Sequence, residues 1–249
     1  MARSISFDQI ADEYDESRGG TARGETMADL LEGHLDRSGV VGEIGIGTGL
    51  VAAALAGRGV DLVGVDLAPA MLQRALARLP GRVGNADAGR LPFAPGAFSS
   101  VYLVWVLHVV GDPRAVLDEC ARVVRPGGTV AVVPAHTWHD PDDPVDQLVS
   151  RLAVLRPEQP TLADVERWMV DAGLTGVTIE HDEEETTEIP SEIADGLERR
   201  VWSSLWDLDD ERFAALVQPV IDAVRALPDQ DLPHVRRRRN HVVVGTVPI

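Results

Sequence analysis

The sequence predicts a doubly wound α/β fold whose β-sheet is mostly parallel. Three observations support this prediction: a glycine-rich turn at 45–49 after an apolar strand, an acid, Asp66, that ends the next apolar strand, and an alternation of apolar runs with amphipathic helical patterns. Strand, glycine turn, helix, strand and acid, in this order, are typical of a nucleotide-binding βαβ unit. The alternation predicts parallel strands with helices on both faces of the sheet.

Each predicted element has a sequence signal of its own. Apolar runs predict strands at about 40–45, 61–65, 82–85, 99–105, 129–134, 177–179 and 240–247. Helical patterns cover 48–57, 69–79, 113–124, 145–155 and 162–172, and two further helices are expected within 190–227. Asp112 and Thr161 precede two of these helices, and both residue types accept hydrogen bonds from the first free N–H groups of a helix.

The glycine-rich turn contains Gly45, Gly47 and Gly49, which we call the turn glycines, behind the acid Glu43. Glycine is needed where backbone must lie against a ligand, because a Cβ would block the approach and disfavour positive φ. The following helix directs its positive N-terminal end at the bound group. A dinucleotide-binding turn requires glycine or alanine at position 50, where this chain has Leu50. A nicotinamide-dependent oxidoreductase is therefore disfavoured.

Five segments in the same order resemble the class I S-adenosylmethionine (SAM) methyltransferases of the small-molecule type. They are 7–15, 43–49, 85–93, 97–108 and 117–130. The resemblance implies a Rossmann-like sheet of seven strands, in which the last strand lies antiparallel between the fifth and the sixth. It also implies SAM as the cofactor.

The resemblance divides the chain, taken as a single domain of residues 1–249, into three parts. Residues 1–39 are expected to form a helical cap of two helices, and residues 40–135 to form the SAM-binding core. Residues 136–249 are expected to form the substrate-side half, with a helical insertion at about 190–232 before the last strand.

The resemblance also assigns residues to the methionine side of the cofactor. Glu43 would orient the turn and reach the SAM amino group, and the turn glycines would let backbone approach the methionine moiety. The backbone carbonyl of Leu103 would accept from the same amino group, and Tyr14 belongs to the lid of the family. Ser99, Leu103 and Val104 depart from the family pattern, which leaves cofactor binding expected and weakens claims about substrate chemistry.

On the adenosine side, the resemblance assigns Asp66, Leu67, Asp87 and Ala88. Asp66 would hold the ribose, since two carboxylate oxygens can accept both hydroxyl protons. Asp87 would bind the adenine amino group, Ala88 would lie beside the ring, and Leu67 would also contact the cofactor.

Candidates for substrate chemistry follow the fourth and fifth strands. His108 is the candidate general base for a hydroxyl nucleophile, because imidazole titrates near neutrality; the alternative is packing or loop anchoring. His136, Trp138 and His139 follow the fifth strand. The two histidines could bind a metal with the acids at 140–143, but a solvated loop is favoured and no metal site is predicted.

Two further patterns have a structural and a functional interpretation. Trp202 and Trp206, at helical spacing, fit helix core or a substrate wall. The basic run 236–239 fits a charge-complementary sheet edge beside the acidic run 182–185, in preference to an RNA-binding patch.

Composition excludes several classes of protein. The net charge is −17, so the surface would repel a phosphate backbone and a nucleic-acid substrate is disfavoured. None of the 23 basic residues is lysine. No 18-residue apolar run or basic-then-apolar leader is present, which predicts a cytoplasmic protein that spans no membrane. The single cysteine, Cys120, is interpreted as a buried helix residue.

The sequence therefore predicts a SAM-dependent methyltransferase that acts on an O or N atom of a small organic molecule. The alternative is a SAM-binding pseudo-enzyme or partner subunit with the same fold and no transfer activity. The cap and the insertion are expected to close over the cofactor and exclude water. The sequence leaves open the identity of the acceptor and the choice between monomer and homodimer.

Overall fold

A computed structural model of the chain describes residues 20–135, 140–155, 159–206 and 208–249. The strands are β1 (Val41–Ile44), β2 (Leu62–Asp66), β3 (Val83–Asn85), β4 (Phe98–Val104), β5 (Val124–Val133), β6 (Thr175–Glu188) and β7 (His234–Thr246). The α-helices are α1 (Gly20–Glu32), α2 (Leu50–Gly57), α3 (Pro69–Arg78), α4 (Pro113–Val123), α5 (Pro144–Val149), α6 (Leu162–Asp171), α7 (Pro190–Glu198), α8 (Asp210–Leu216) and α9 (Gln218–Arg225). Two 3-10 segments, Ser150–Leu155 and Ser203–Leu205, complete the set.

The strands form one seven-stranded sheet in the order β3-β2-β1-β4-β5-β7-β6. The first five strands are parallel, which confirms the predicted doubly wound half. In register, Glu43 of β1 lies between Gly64 of β2 and Tyr102 of β4. Because parallel strands end at the same edge, the residues after β1, β2, β3 and β4 are brought to one side of the sheet.

The last strand completes the sheet as predicted. Strand β7 lies between β5 and β6 and runs antiparallel to β5, with Thr129 opposite Thr246. The position and direction implied by the resemblance are therefore confirmed.

Several predicted boundaries are wrong, and the longest error concerns β6. The expected strand at 177–179 is part of a 14-residue strand, which continues through the acidic run. Strand β7 likewise begins six residues before the predicted start and contains the basic run. An isolated acidic segment is a poor strand, whereas cross-strand pairs of opposite charge stabilise one. Strand β5 also begins earlier than predicted, at Val124.

The helices follow their predicted signals at most termini. Asp112 caps α4 by accepting from Arg114 N and Ala115 N, at 3.1 and 3.2 Å. Thr161 begins α6 in a capping box with Asp164. Two details differ: the helix expected at 145–155 becomes 3-10 after Val149, and the region 190–227 contains three α-helices where two were expected.

The chain divides into two compact units. Unit 1 contains the described residues within 1–136, 160–181 and 241–249, and unit 2 those within 137–159 and 182–240. Unit 1 has an apolar core on each face of the sheet, built around residues such as Leu55 and Leu117. Unit 2 has its own core, in which Leu197, Leu205 and Ile221 are fully buried. The assignment of 1–249 as a single domain with three parts stays a prediction.

None of the helices in the described ranges is long and apolar enough to cross a membrane.

Candidate functional site

The glycine-rich turn follows β1 and is fixed to the end of β2. The N–H groups of Gly45 and Ile46 both donate to the carbonyl of Val65, at 2.8 and 2.9 Å. The turn glycines have φ values of +77°, +54° and +80° in chain order. These left-handed conformations disfavour any residue with a Cβ, which explains why the turn contains three glycines.

The three turn glycines have different surroundings. A Cβ on Gly45 would lie 2.4 Å from Val106 Cγ2, and a Cβ on Gly49 would lie 3.2 Å from Ala75. A Cβ on Gly47 would meet no atom within 4 Å. Packing therefore requires glycine at the first and third positions, whereas Gly47 exposes backbone to a space that a ligand can enter.

The Asp66 carboxylate lies directly beside this open backbone. Its Oδ2 accepts from Gly47 N at 2.8 Å, and its Oδ1 accepts from Ala68 N at 2.9 Å. A carboxylate has about four lone-pair positions, so each oxygen keeps capacity for one more donor. The next side chain, Leu67, is 61 % exposed and offers apolar surface beside this carboxylate.

Residues at the end of β3 hold the backbone around Asp66 in place. The Asn85 amide donates to the carbonyls of Asp66 and Leu67, at 2.9 and 3.0 Å. Asp87 is exposed and its Oδ1 accepts from Gly89 N at 2.9 Å, while Ala88 is half-buried. The residues predicted for the adenosine side therefore lie at the ends of strands β2 and β3, and the Asn85 hydrogen bonds join these two strand ends.

Sequence reasoning missed residues that hold the turn in place. A Cβ on Gly64 would lie 2.3 Å from Ile46 Cδ1, so this strand glycine makes room for the turn. Arg78 Nη1 donates to Thr48 O at 2.6 Å and connects the turn to α3. A glycine inside a strand pattern is a usable signal of close approach. The arginine contact joins residues thirty positions apart, and no local pattern indicates it.

Glu43 and Tyr102 form a buried pair behind the turn. The Tyr102 hydroxyl donates to Glu43 Oε2 at 2.9 Å, and Glu43 is 2 % exposed. Burial raises the pKa of Glu43 to about 8; the Tyr102 hydrogen bond opposes this shift, and the like charge of Asp66 adds to it. Burial and the neighbouring Glu43 raise the pKa of the Tyr102 phenol well above its usual value. Glu43 is therefore mostly protonated at neutral pH.

The segment after β4 contains an unexpected backbone conformation. Leu103 is fully buried in the core, so any contact with a ligand would come from its backbone. Trp105, two residues later, has φ +56°, its N–H donates to Val133 O at 2.9 Å, and the Arg23 guanidinium lies 4.9 Å from its ring centroid. A left-handed tryptophan costs free energy and marks a constrained position, which a sequence pattern does not show.

The candidate general base lies in the same region. His108 is half-buried in the turn that follows β4. Tyr14, His136, Trp138 and His139 lie outside the described residues. Among the residues that the structure does describe, no group of three or more His, Cys, Asp or Glu side chains could hold a metal ion.

Cys120 is fully buried, and burial, followed by the charge of Glu119, raises the pKa of its thiol to about 12. The thiol is therefore protonated at neutral pH, as expected for a core residue.

Unit 2 contains a network of arginines and acids. Arg236, which is 3 % exposed, contacts Asp143 at 3.2 Å, Glu188 at 2.6 Å and also Asp146. Arg238 makes two bonds to the Glu188 carboxylate, at 2.7 and 2.8 Å. In these contacts, negatively charged carboxylates surround the buried Arg236 guanidinium and neutralise its charge.

The basic run pairs with the acidic run, as predicted, and also with acids elsewhere in unit 2. Arg239 pairs with Glu183 of the acidic run, whereas Arg237 binds Asp140 with both nitrogens, at 2.6 and 3.0 Å. Opposite charges are therefore complementary as expected, but most of the acids come from the segment 140–146 and from Glu188.

The two tryptophans of unit 2 are not on a common helix. Trp202 packs against the core of this unit, and Trp206 Nε1 donates to Arg200 O at 2.9 Å. Both contacts fit a structural role.

A cavity of about 390 Å³ lies elsewhere in unit 1, lined by residues that include Val60, Asp61 and Arg82. It begins at the opposite end of β2 from Asp66 and contains none of the predicted cofactor residues. The candidate site is therefore assigned from the chemistry of its residues and not from the position of this cavity.

Part of the chain matches a known family of proteins. Residues 42–132, from the glycine-rich turn to β5, match a family described as a methyltransferase domain. This match covers a little over a third of the chain, which resembles that family over these residues. A relative, demethylmenaquinone methyltransferase from Clavibacter sepedonicus, is 34 % identical over 137 residues, which cover 52 % of this chain and 56 % of that protein. The chain thus spans about half the length of this relative.

Solved structures share the fold of residues 42–132 and of the segments around them. Phosphoethanolamine N-methyltransferase 2 from Haemonchus contortus, in complex with phosphomonomethylethanolamine and S-adenosylhomocysteine, has a TM-score of 0.60 at 20 % identity, covering 99 % of this chain and 59 % of that chain. The [4+2]-cyclase SpnF has a TM-score of 0.61 at 17 % identity, covering 99 % and 96 %. The fold is therefore that of the class I methyltransferases, and the fold alone does not decide the reaction.

The described residues around the glycine-rich turn fit SAM. The open backbone at Gly47 admits a close ligand, Asp66 has acceptor capacity for a ribose diol, and exposed Leu67 offers an apolar surface to an adenine ring. The donor set contains carboxylates and backbone groups, which suit hydroxyl and amino groups of a nucleoside.

Proposed function

We propose that the chain is a SAM-dependent methyltransferase that transfers a methyl group to an O or N atom of a small organic molecule. The observation that carries the proposal is the open backbone of Gly47 beside the Asp66 carboxylate, at the edge of a parallel sheet where ligands of α/β proteins bind. We expect a cytoplasmic protein, as a monomer or a homodimer.

The residues of the turn have separate roles in this proposal. Gly47 provides backbone contact to the methionine moiety, while Gly45 and Gly49 keep the turn packed. Asp66 accepts both ribose hydroxyls with its remaining lone pairs and stays oriented by Gly47 N and Ala68 N. Asp87 accepts from the adenine amino group.

SAM, when bound, supplies a methyl group that is already activated by the sulfonium centre. The chain therefore has to align the acceptor and exclude water, which accounts for most of the acceleration in such displacements. His108, half-buried after β4, takes a proton from the acceptor where the nucleophile is a hydroxyl. Trp105, held by Val133 O and Arg23, limits the shape of the space at the same strand end.

A small acceptor fits the charge of the chain better than a nucleic acid does, since a net charge of −17 repels phosphate. The relative named demethylmenaquinone methyltransferase makes demethylmenaquinone one acceptor to include in a screen.

A second candidate function is SAM binding without methyl transfer. Two observations favour it: the likeness in fold to the [4+2]-cyclase SpnF, and the apolar end of β4, where Leu103 and Val104 replace the small polar residues of the resembled family. Turnover distinguishes the two functions, because both require the cofactor.

The first test is calorimetric titration with SAM and, separately, with NADH. We expect micromolar SAM affinity and no NADH binding. Asp66→Ala should weaken SAM binding by about 1–3 kcal/mol, because two hydroxyl groups lose their acceptor. Asp61→Ala is the matched control, since Asp61 is an exposed acid at the other end of β2 and pairs with Arg82.

Two outcomes contradict the cofactor assignment: absence of SAM binding, or an equal loss in the Asp66 and Asp61 variants. If SAM binds, a screen of hydroxyl, amine and quinone acceptors with labelled SAM follows. Transfer to any of them supports the methyltransferase, and binding without transfer across the screen supports the second candidate.

A further inference from the structure

Glu43 and Tyr102 face each other across neighbouring parallel strands, in direct register. Both side chains are almost completely buried, and the phenol donates to the carboxyl group at 2.9 Å. The pair lies at the base of the glycine-rich turn, one residue before the end of β1. A proton on Glu43 is therefore enclosed by protein and lies directly behind the proposed cofactor site.

Three groups from three elements act on this carboxyl group. They are the Tyr102 hydroxyl of β4, the Ala52 N–H of α2 and the Asp66 carboxylate at the end of β2. The first two stabilise the ionised form, and the third is a like charge that disfavours it. Asp66, the charged side chain among these three groups, is negative and disfavours ionisation of Glu43, and burial acts in the same direction. Glu43 therefore keeps its proton at neutral pH.

A cation that binds at the turn would reverse this balance. SAM carries an ammonium group and a sulfonium group, and an ionised carboxylate close to them is stabilised by their charge. The carboxyl O–H bond of Glu43 then breaks, the electron pair stays on the carboxylate, and the buffer takes the proton. The hydroxyl of Tyr102 keeps donating, now to an anion, and such charge-assisted bonds are about twice as strong as neutral ones.

We propose that the Tyr102–Glu43 pair couples cofactor binding to the release of one proton, and that Tyr102 is the positioning residue of this coupling. The proposal rests on the proposed function, because it needs SAM at the glycine-rich turn. It assigns to Tyr102 a role that is separate from packing, namely to orient the carboxyl group and to favour its ionised form when the cofactor arrives.

The test is calorimetry of SAM binding at pH 6.5 in buffers that differ in ionisation enthalpy. At this pH an α-amino group is still protonated, so a released proton comes from the protein. We expect close to one proton released per SAM bound, and an association constant that rises about tenfold per pH unit between pH 6 and 7. The companion ligand is 5′-methylthioadenosine, which lacks the ammonium and sulfonium charges and should release no proton.

Two variants separate positioning from a structural role. Glu43→Gln should bind SAM without releasing a proton and with an affinity that does not change between pH 6 and 7. Tyr102→Phe should still release a proton, but its affinity at pH 7 should be about fivefold weaker, because the charge-assisted bond in the complex is lost. Its affinity–pH curve should be displaced to higher pH. Circular dichroism and thermal unfolding verify that both variants are folded.

Each outcome decides one of the two proposals. Binding of SAM without proton release, or the same release from Glu43→Gln, overturns the coupling and leaves the proposed function intact. An unshifted affinity–pH curve in folded Tyr102→Phe overturns the positioning role. No SAM binding by the unmodified protein overturns the proposed function and the coupling together.

Discussion

Glu43 of unit 1 and Arg236 of unit 2 are both almost fully removed from water, at 2 % and 3 % exposure, yet their surroundings differ in kind. Arg236 contacts three carboxylates, so its charge is retained inside the protein. Glu43 contacts a neutral phenol and lies near another acid, so its proton is retained instead. Burial costs a charged group several kcal/mol in either place, and the available partner decides which form of the group survives.

The two arrangements predict opposite responses to substitution and to pH. A buried ion pair is vulnerable to loss of one partner, because the other charge is then left without compensation. A buried acid that is neutral in the folded chain contributes less stability as pH rises from its usual pKa to its raised folded pKa, because only the unfolded chain ionises freely in this window. The following variants test this difference, from the largest expected effect to the smallest.

Arg236→Ala should have the largest effect. It removes the most buried cation of the network and leaves buried Asp146 paired with Arg238 at 3.3 Å, which we expect to cost about 3–5 kcal/mol of unfolding free energy in unit 2. Hydrogen exchange in α7, α8 and α9 reports this loss locally. Arg239→Ala is the matched control, because its pair with Glu183 is partly exposed and should cost less than about 1 kcal/mol. Equal losses in the two variants would show that burial of the network is unimportant.

Glu43→Gln should change the pH dependence of stability. Between pH 4.5, the usual value for glutamate, and the folded pKa of about 8, the folded chain holds a proton that the unfolded chain has lost. The contribution of Glu43 to stability therefore falls by about 1.4 kcal/mol per pH unit in this window and is constant above it. Urea unfolding at several pH values should show the variant gaining on the parent protein as pH rises. A difference that does not depend on pH would sink this account of Glu43.

Gly45→Ala and Gly47→Ala should differ in what they damage. The new methyl group at position 45 would overlap Val106, and we expect a loss of about 1–3 kcal/mol in stability. At position 47 only the left-handed φ opposes alanine, at a cost of about 1 kcal/mol, whereas the methyl group would occupy the open space. Thermal unfolding and SAM titration of both variants measure the two effects. Strong SAM binding by Gly47→Ala would contradict the role of that space.

Mild acid should have the smallest effect. Glu188 is desolvated, but Arg238 and Arg236 hold the pKa of this carboxyl below its usual value. Its contribution to stability is therefore present at neutral pH and is lost only as pH falls below about 4.5, opposite in sign to that of Glu43. Hydrogen exchange of unit 2 at pH 5 and pH 3 should show protection decreasing at the lower pH. Increased protection at pH 3 would contradict the network.

The candidate site was predictable where its signals are local. Three glycines in five residues predict left-handed backbone, and the acid at the end of the next strand predicts a carboxylate beside it. In the structure, Gly47 N lies 2.8 Å from Asp66 Oδ2. The buried pair of Glu43 and Tyr102 joins residues 59 positions apart, so the sequence predicts Glu43 as a site residue but does not indicate its contact with Tyr102. The left-handed Trp105 has no sequence signal at all.

The sequence by itself determined the fold class, the order of the elements and the place of the glycine-rich turn. These follow from hydrophobic periodicity, capping residues and glycines, which act over a few residues. The tertiary structure decided the extent of β6 and β7, the acids that neutralise Arg236, and which turn glycine leaves open space. Each of these depends on groups far apart in the chain, whose free energy of interaction exists only once the sheet has brought them together.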